Sequence, residues 1–262
     1  MDASNSVLHN LLDCPVCMNT MFPPIRQCSN GHALCSNCKS RVNRCPICRD
    51  ELGNIRCLGL EKLGESLEWP CKYLNVGCRD LLPYSNVINH ELTCKFRPYN
   101  CPAVGVACPI TGDVSFLVNH LKNDHHVNVF NSWTFNNLYT ESDPEEVLNN
   151  SWKIAVYDCF GYQFSLCFEV FMWGSSQVYI AYMRFMGEPE DAKRFGYRLE
   201  VCSSGKSLSW RSIPRSIREP SIRVRESLDG LIIRRDLALF FSDGDKKQLK
   251  LAISGYICSI TT

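Results

Sequence analysis

Cys14-Pro15-Val16-Cys17, then Cys28, His32, Cys35 and Cys38, then Cys45-Pro46-Ile47-Cys48: the reading of the whole chain turns on this stretch. Two residues separate Cys14 from Cys17, Cys35 from Cys38 and Cys45 from Cys48. That spacing lets one short turn bring two thiolates onto a single metal ion at tetrahedral angles. Eight such donors make two closed zinc sites. A closed site leaves no position for water or substrate, so both are structural. The stretch is too short to bury a self-sufficient core. Zinc must therefore supply much of its folding free energy, on the order of 10 kcal/mol per site. Gly31 before His32 suits a tight turn that swings the imidazole inward. Pro23-Pro24 stiffens the loop between the first ligand pairs.

The chain has 262 residues, enough for two or three small domains. With 45% apolar and 21% charged residues it has the composition of an ordinary soluble globular protein. A net charge of +1 gives no global field for nucleic acid or an anionic membrane. No apolar run approaches bilayer length, and Met1 to Asn10 lack a signal peptide's apolar core. The expectation is an intracellular protein, in cytoplasm or nucleus, whose thiols stay reduced. Thirteen of its 17 cysteines precede residue 110 and are interleaved with histidines. Metal binding explains that distribution better than a secreted disulfide scaffold.

Residues 1–13 form a short leader; either Leu8, Leu11 and Leu12 pack on the first metal site or the terminus frays. Residues 50–70 read as a linker. Within it Ile55, Leu58, Leu60, Leu63 and Leu67 recur at roughly helical spacing, and Cys57 reads as a packed thiol. An internal repeat follows. Cys71, Cys78, His90 and Cys94 recur as Cys101, Cys108, His120 and His125, at an offset of 30 residues for the first three and 31 for the fourth. Ser85 and Asp113 are helix-start signals in the two copies. A helix then turns His90 and Cys94, or His120 and a ligand one turn later, toward one zinc. His126 is an alternative to His125 as the last ligand. Twelve cysteines and four histidines thus predict four zincs per chain. DNA reading is disfavoured: the segment Ser85 to Asn89 has no basic residue, and the second helix carries only Lys122.

From residue 131 onward the pattern becomes alternating and β-branched. Strands are expected over Trp152–Tyr157, Tyr162–Val170, Val178–Met186, Tyr197–Val201, Leu208–Arg211 and Leu249–Ile253. Turns fall at Gly161, Gly174, Gly187, Gly205 and Asp243-Gly244-Asp245. Asp236 to Phe241 fits either a strand or a helical turn. These elements predict an antiparallel sandwich. No histidine follows His126, so a nucleophile–histidine pair is not available there. Cys159, Cys167, Cys202 and Cys258 lack ligand spacing and read as buried thiols. Arg211, Arg215, Arg218, Arg223 and Arg225 read as a solvated loop and edge face.

The eight-ligand order of 14–48 resembles a RING finger. With the two fingers joined by Arg97-Pro98-Tyr99-Asn100-Cys101-Pro102, and Pro214-Arg215-Ser216-Ile217 in the sandwich, the chain resembles the seven-in-absentia family of RING-type ubiquitin ligases. Leu231-Ile232-Ile233 and Ala238-Leu239-Phe240-Phe241-Ser242 are similar to plant members. The resemblance implies a multidomain α+β/all-β chain. It comprises a RING finger at 14–49, tandem zinc fingers at 71–126 and a TRAF-like domain at 131–262 that binds substrates and dimerises. It implies a cross-brace, with Cys14, Cys17, Cys35 and Cys38 on one zinc and Cys28, His32, Cys45 and Cys48 on the other. It implies that Val16, Val42, Pro46 and Ile47 dock a ubiquitin-conjugating enzyme. Arg49 stands where many RINGs place a cation that bridges enzyme and ubiquitin. Val42 replaces a bulkier residue of some RINGs, which implies weak or selective docking. The leader is shorter than that of many relatives. The implied activity is ubiquitin transfer to substrate lysines, leading to proteasomal degradation, with no partner among nucleic acids or membranes. The alternative is a catalytically weak adaptor that heterodimerises with active relatives.

Overall fold

The structure is a computed structural model; residues 8–105, 107–142, 152–242 and 248–260 are described. The expected turn at Asp243-Gly244-Asp245 and the first seven residues of the leader lie outside them. The chain forms two compact units, Met1–Arg97 and Pro98–Thr262. The division falls between the two copies of the repeat.

The first unit has little regular structure, as expected where metal replaces a large core. Strands β1 (Arg26–Gln27) and β2 (Ala33–Leu34) precede helix α1 (Ser36–Lys39). Strand β3 (Ile55–Arg56) joins β1 antiparallel, giving the order β2-β1-β3. Helix α2 (Leu58–Glu65) follows. The stretch read as a linker is therefore packed structure. Leu60, Leu63, Leu67 and Cys57 pack against the core formed by Leu12, Met21, Ile25, Leu34, Trp69 and Tyr84. The helical reading fails at Ile55, because pairing with β1 draws the backbone of Ile55–Arg56 into a sheet; Leu58 opens α2 but its side chain, like that of Ile55, is exposed. Leu12 is fully buried and Leu11 exposed, so the leader docks through one of its leucines.

The first finger is a hairpin of β4 (Glu68–Pro70) and β5 (Leu81–Pro83) followed by helix α3 (Val87–Thr93). Asn86 precedes α3, and no side chain caps it. The Ser85 hydroxyl instead donates to the Asn86 side chain at 3.2 Å, so Ser85 is not the cap its residue type suggests. The second finger does have its predicted cap. Strands β6 (Tyr99–Asn100) and β7 (Thr111–Gly112) pair, and helix α4 (Val114–Asp124) opens with the Phe116 amide donating to Asp113 Oδ1 at 2.7 Å.

The rest of the second unit is a sandwich. Strands β8 (Asn128–Phe130), β9 (Thr134–Ser142), β10 (Trp152–Cys159), β11 (Tyr162–Trp173) and β12 (Ser176–Phe185) come first. After helix α5 (Pro189–Ala192) come β13 (Phe195–Ser203), β14 (Lys206–Ser212) and β15 (Arg215–Ser216). Helix α6 (Ser221–Glu226), β16 (Leu231–Arg234), helix α7 (Arg235–Phe241) and β17 (Gln248–Ser259) complete it. One sheet has the order β15-β12-β11-β10-β8, with β16 also pairing β12; the other is β14-β13-β17-β9. All the strand segments predicted in this half form. Residues 235–241 are helical. The sheet is not wholly antiparallel, since β8 and β15 run parallel to their neighbours.

Between the sheets lie Phe164, Leu166, Phe168, Tyr179, Met183, Leu199, Leu251 and Ile253, all buried. At Gly255 a Cβ atom would lie 1.9 Å from the Arg198 carbonyl oxygen, so the β13–β17 crossing requires glycine. Strand β11 alternates as predicted, yet both its faces are buried. Its outer face carries Ser165, Cys167 and Glu169, and Val224 from α6 packs over Cys167, Ile180 and Tyr182. The Tyr182 hydroxyl donates to Glu169. Burial raises the Glu169 pKa above its ordinary value of 4.5.

Two expectations are corrected here. Cys202 is exposed, because alternation along β13 turns its neighbour Val201 inward; Cys159 and Cys258 are half-buried and only Cys167 is fully buried. The arginine run is not uniformly solvated. Arg215 pairs with Glu219 at 2.7 Å and Asp229 at 3.2 Å, and Arg218 pairs with Glu188 at 2.7 Å with its side chain only 8% exposed. Glu188, 30 residues away in sequence, draws Arg218 inward, whereas Arg215 stays partly exposed beside Glu219 four residues on.

Candidate metal centres and docking face

Four groups of donors converge, each with all its ligand atoms within 4.8 Å of one another. They are Cys14, Cys17, Cys35 and Cys38; Cys28, His32, Cys45 and Cys48; Cys71, Cys78, His90 and Cys94; and Cys101, Cys108, His120 and His125. All sixteen predicted donors fall in these groups, and the first two groups interleave in the order a cross-brace requires.

The distances test whether zinc fits. With Zn–S about 2.3 Å and Zn–N about 2.0–2.1 Å, tetrahedral angles put two sulfurs about 3.8 Å apart, sulfur and nitrogen about 3.5 Å, and two nitrogens about 3.3 Å. Cys17–Cys35, Cys28–Cys48 and Cys71–Cys94 stand at 3.9, 3.7 and 3.9 Å. Cys28 Sγ lies 3.5 Å from His32 Nδ1, Cys78 Sγ 3.4 Å from His90 Nε2, and Cys108 Sγ 3.3 Å from His120 Nε2. His120 Nε2 and His125 Nε2 are 3.1 Å apart. A disulfide needs about 2.05 Å, so these sulfurs are spaced for a common ion and not for one another.

The local backbone makes these donors. In the first knuckle Met18 N donates to Cys14 O, and in its counterpart Arg49 N donates to Cys45 O, both at 2.8 Å. Met18 and Arg49 each take a positive φ, 57° and 66°, which closes the turn. Amides also point at sulfur: Cys38 N donates to Cys35 Sγ at 3.3 Å. The Asp50 amide, then the Asn30 side chain, lower the Cys48 thiol to about 6. Its hydrogen bond with Cys35, followed by burial, pushes Cys38 up to about 12. Crowded thiols thus resist joint ionisation, and a dication relieves that repulsion.

Asp124 Oδ2 lies 2.6 Å from His120 Nδ1, which holds the proton there and leaves Nε2 free to ligate. Sequence reading missed Asp124, although its place one helical turn after His120 was visible. Of the alternatives for the last ligand, His125 is in the cluster, 3.6 Å from Cys101 Sγ. His126 adopts φ 53° and lines a groove with Asn128, Phe130 and Lys153.

The predicted docking residues are not all alike. Val16 is 43% exposed and Ile47 53%, each in the turn between two cysteines. Pro46 and Arg49 are exposed beside them. Val42 is half-buried and packs against the core of the unit. Met18, 75% exposed, adds an apolar side chain next to the first knuckle that sequence reading passed over.

A cross-braced pair of closed zinc sites with exposed apolar turns, followed by two zinc fingers and a sheet-rich domain, defines a RING-type ubiquitin transferase with a TRAF-like C-terminal domain. Family models agree: "E3 ubiquitin-protein ligase sina/sinah, RING finger" matches residues 14–48, "Sina, zinc finger" 62–136 and "Sina, TRAF-like domain" 157–254. E3 ubiquitin-protein ligase SINAT2 of Arabidopsis thaliana is 56% identical over 97% of this chain and 83% of its own length. E3 ubiquitin-protein ligase DIS1 of Oryza sativa subsp. japonica is 54% identical over 97% and 84%, and E3 ubiquitin-protein ligase sina of Schistosoma mansoni 33% over 99% and 70%. The chain belongs to the seven-in-absentia family of E3 ubiquitin-protein ligases. Its cofactor is zinc. Among the described residues no helix is long and apolar enough to cross a membrane.

Proposed function

We propose that this chain docks a ubiquitin-conjugating enzyme on its RING and delivers ubiquitin to lysines of substrates held by its C-terminal domain, marking them for proteasomal degradation. The carrying observation is the exposure of Val16 and Ile47, with Met18 beside them, in a module that draws Met21, Ile25 and Leu34 into its core. Val16, Pro46 and Ile47 form the apolar contact, Val42 supports it from the half-buried side, and Arg49 supplies the cation that bridges enzyme and ubiquitin. The RING spans 14–49 and the segment 50–70 joins it to fingers at 71–126. The TRAF-like domain covers 131–262, and the leader is 1–13. Each group of donors described above holds one zinc.

The chemistry needs no covalent bond to this chain. The substrate lysine amine attacks the thioester carbonyl carbon of ubiquitin. The amide bond forms, the conjugating enzyme's cysteine leaves as thiolate, and the amine proton passes to solvent. Zinc-bound sulfurs are coordinatively occupied and take no part. Catalysis is orientation and local concentration.

Substrate capture is supported by the groove beside β8 and β9, about 320 Å³, lined by Asn128, Phe130, Leu138, Tyr139, Lys153 and Ile154. Each of these strands ends its sheet, so an extended segment can add to an open edge. The C-terminal domain also pairs two copies of the chain, or this chain with a relative, and the protein acts in cytoplasm, nucleus or both.

The test is ubiquitin discharge from a loaded conjugating enzyme to free lysine, with purified full-length chain. Ile47→Asp should lower discharge at least about tenfold, the effect of placing a charge in an apolar contact, while four zincs remain bound. Unchanged discharge overturns the docking assignment.

A further inference from the structure

The first RING knuckle is gripped from outside its own ligand stretch. Its ribbon runs from Leu12 to Met21. Met21 N donates to Leu12 O at 2.7 Å and Cys14 N to Asn19 O at 2.8 Å, and Asp13 bridges Thr20. Val16 and Met18 lie toward the tip. At the base stands Tyr84, between β5 and α3 of the first finger. It is 2% exposed, and its hydroxyl donates to the Met21 carbonyl. Its ring stacks on Phe22 at 5.0 Å and tilts against Trp69 at 5.5 Å. Gly64 of α2 lies so close that a Cβ there would be 2.8 Å from the ring.

Four residues further on, the same segment is held again. Ile25 N donates to Glu61 Oε1 and Cys57 N to Ile25 O, both at 2.9 Å. Glu61 is buried on α2, and its hydrogen bonds with Arg56 keep its carboxyl below the ordinary range. Zinc does not provide this support. Cys14 and Cys17 attach the ribbon to one ion, and a ribbon attached at one point can rock about it.

We propose that Tyr84 and Glu61 are positioning residues for ubiquitin transfer. Helix α2 and the first finger brace the segment 12–25 and so hold Val16 in the geometry that receives the conjugating enzyme. The finger then acts on the reaction without touching enzyme or ubiquitin. The inference rests on the docking reading above.

The test uses the zinc-loaded full chain and follows lysine discharge against the concentration of ubiquitin-loaded conjugating enzyme. Tyr84→Phe keeps the ring and removes the hydrogen bond; Glu61→Gln keeps the shape and weakens the clamp. For Tyr84→Phe the half-saturating concentration should rise about three- to tenfold, the factor one buried hydrogen bond carries. The maximal rate should stay within about twofold, since no group that touches the reacting atoms has changed, and zinc content should be unchanged. Ile47→Asp is run alongside. If Ile47→Asp abolishes saturation while Tyr84→Phe and Glu61→Gln leave half-saturation unchanged, or lower only the melting temperature, the brace is refuted and docking stands. If Ile47→Asp itself leaves half-saturation unchanged, the docking reading falls and this inference with it.

Discussion

Replacing Arg218 with methionine tests how the second finger is secured to the sandwich within the Pro98–Thr262 unit. Arg218 Nε and Nη2 donate to Glu188 Oε1 at 3.0 and 2.7 Å, and Nη1 donates to the Pro98 carbonyl at 2.9 Å. The guanidinium carbon sits 3.6 Å from the centre of the Tyr99 ring, and the Tyr99 hydroxyl donates to the same Glu188 oxygen at 2.6 Å. Methionine keeps much of the apolar stem, so the loss is the charge and its bonds. Removing one partner of a buried ion pair costs about 3–5 kcal/mol. Glu188 is 29% exposed, so water recovers part of that, and about 3 kcal/mol is the working figure. For a unit of this size 1 kcal/mol moves the melting temperature by about 3 °C, so Arg218→Met should lower it by about 9 °C. Calorimetry of the full chain measures it. Glu188→Gln and the double variant complete a cycle, in which a coupling of at least about 1.5 kcal/mol is expected. A melting shift under about 2 °C, or additive single effects, would refute the claim that this cluster joins finger to sandwich.

Two further outcomes follow from particular side chains. His125→Ala should lose one of four zincs while His126→Ala keeps all four, because only His125 reaches the second-finger cluster; metal analysis after gel filtration reads both. Glu169 has a raised folded-state pKa, so its contribution is greatest below its ordinary value of 4.5 and is lost as pH rises through the folded value. Glu169→Gln should therefore gain melting temperature relative to the parent between pH 5 and pH 8. A difference that stays flat, or moves the other way, would show that Tyr182 and the nearby arginines fully compensate the buried charge.

Most of the metal chemistry was legible in the chain, because zinc coordination is written in residue type and local spacing. Cys-x-x-Cys pairs, Cys28 and His32 between them, and the repeat at 71–125 name all sixteen candidate donors, and period-two alternation names the main strands of the sandwich. Helix starts were half legible. Asp113 caps α4 as its residue type predicts, whereas the Ser85 hydroxyl donates to the Asn86 side chain and caps nothing. The packing of the segment 50–70 is not legible in the sequence because its partners are distant. Ile55–Arg56 form a strand by meeting β1, and the buried Glu61 accepts from the Ile25 amide 36 residues away.

By itself, the sequence determined the metal, its donors, the family resemblance and the number of modules, all of which depend on local chemistry. Only the tertiary structure decided the rest. It brought His125 and not His126 into the second-finger group, exposed Cys202, buried both faces of β11 and turned Arg218 inward. It also brought Tyr84 onto the backbone of Met21, 63 residues away. The physical reason is common to all of these. A side chain's burial and partners depend on which distant segments the chain packs against it, and no local spacing records that.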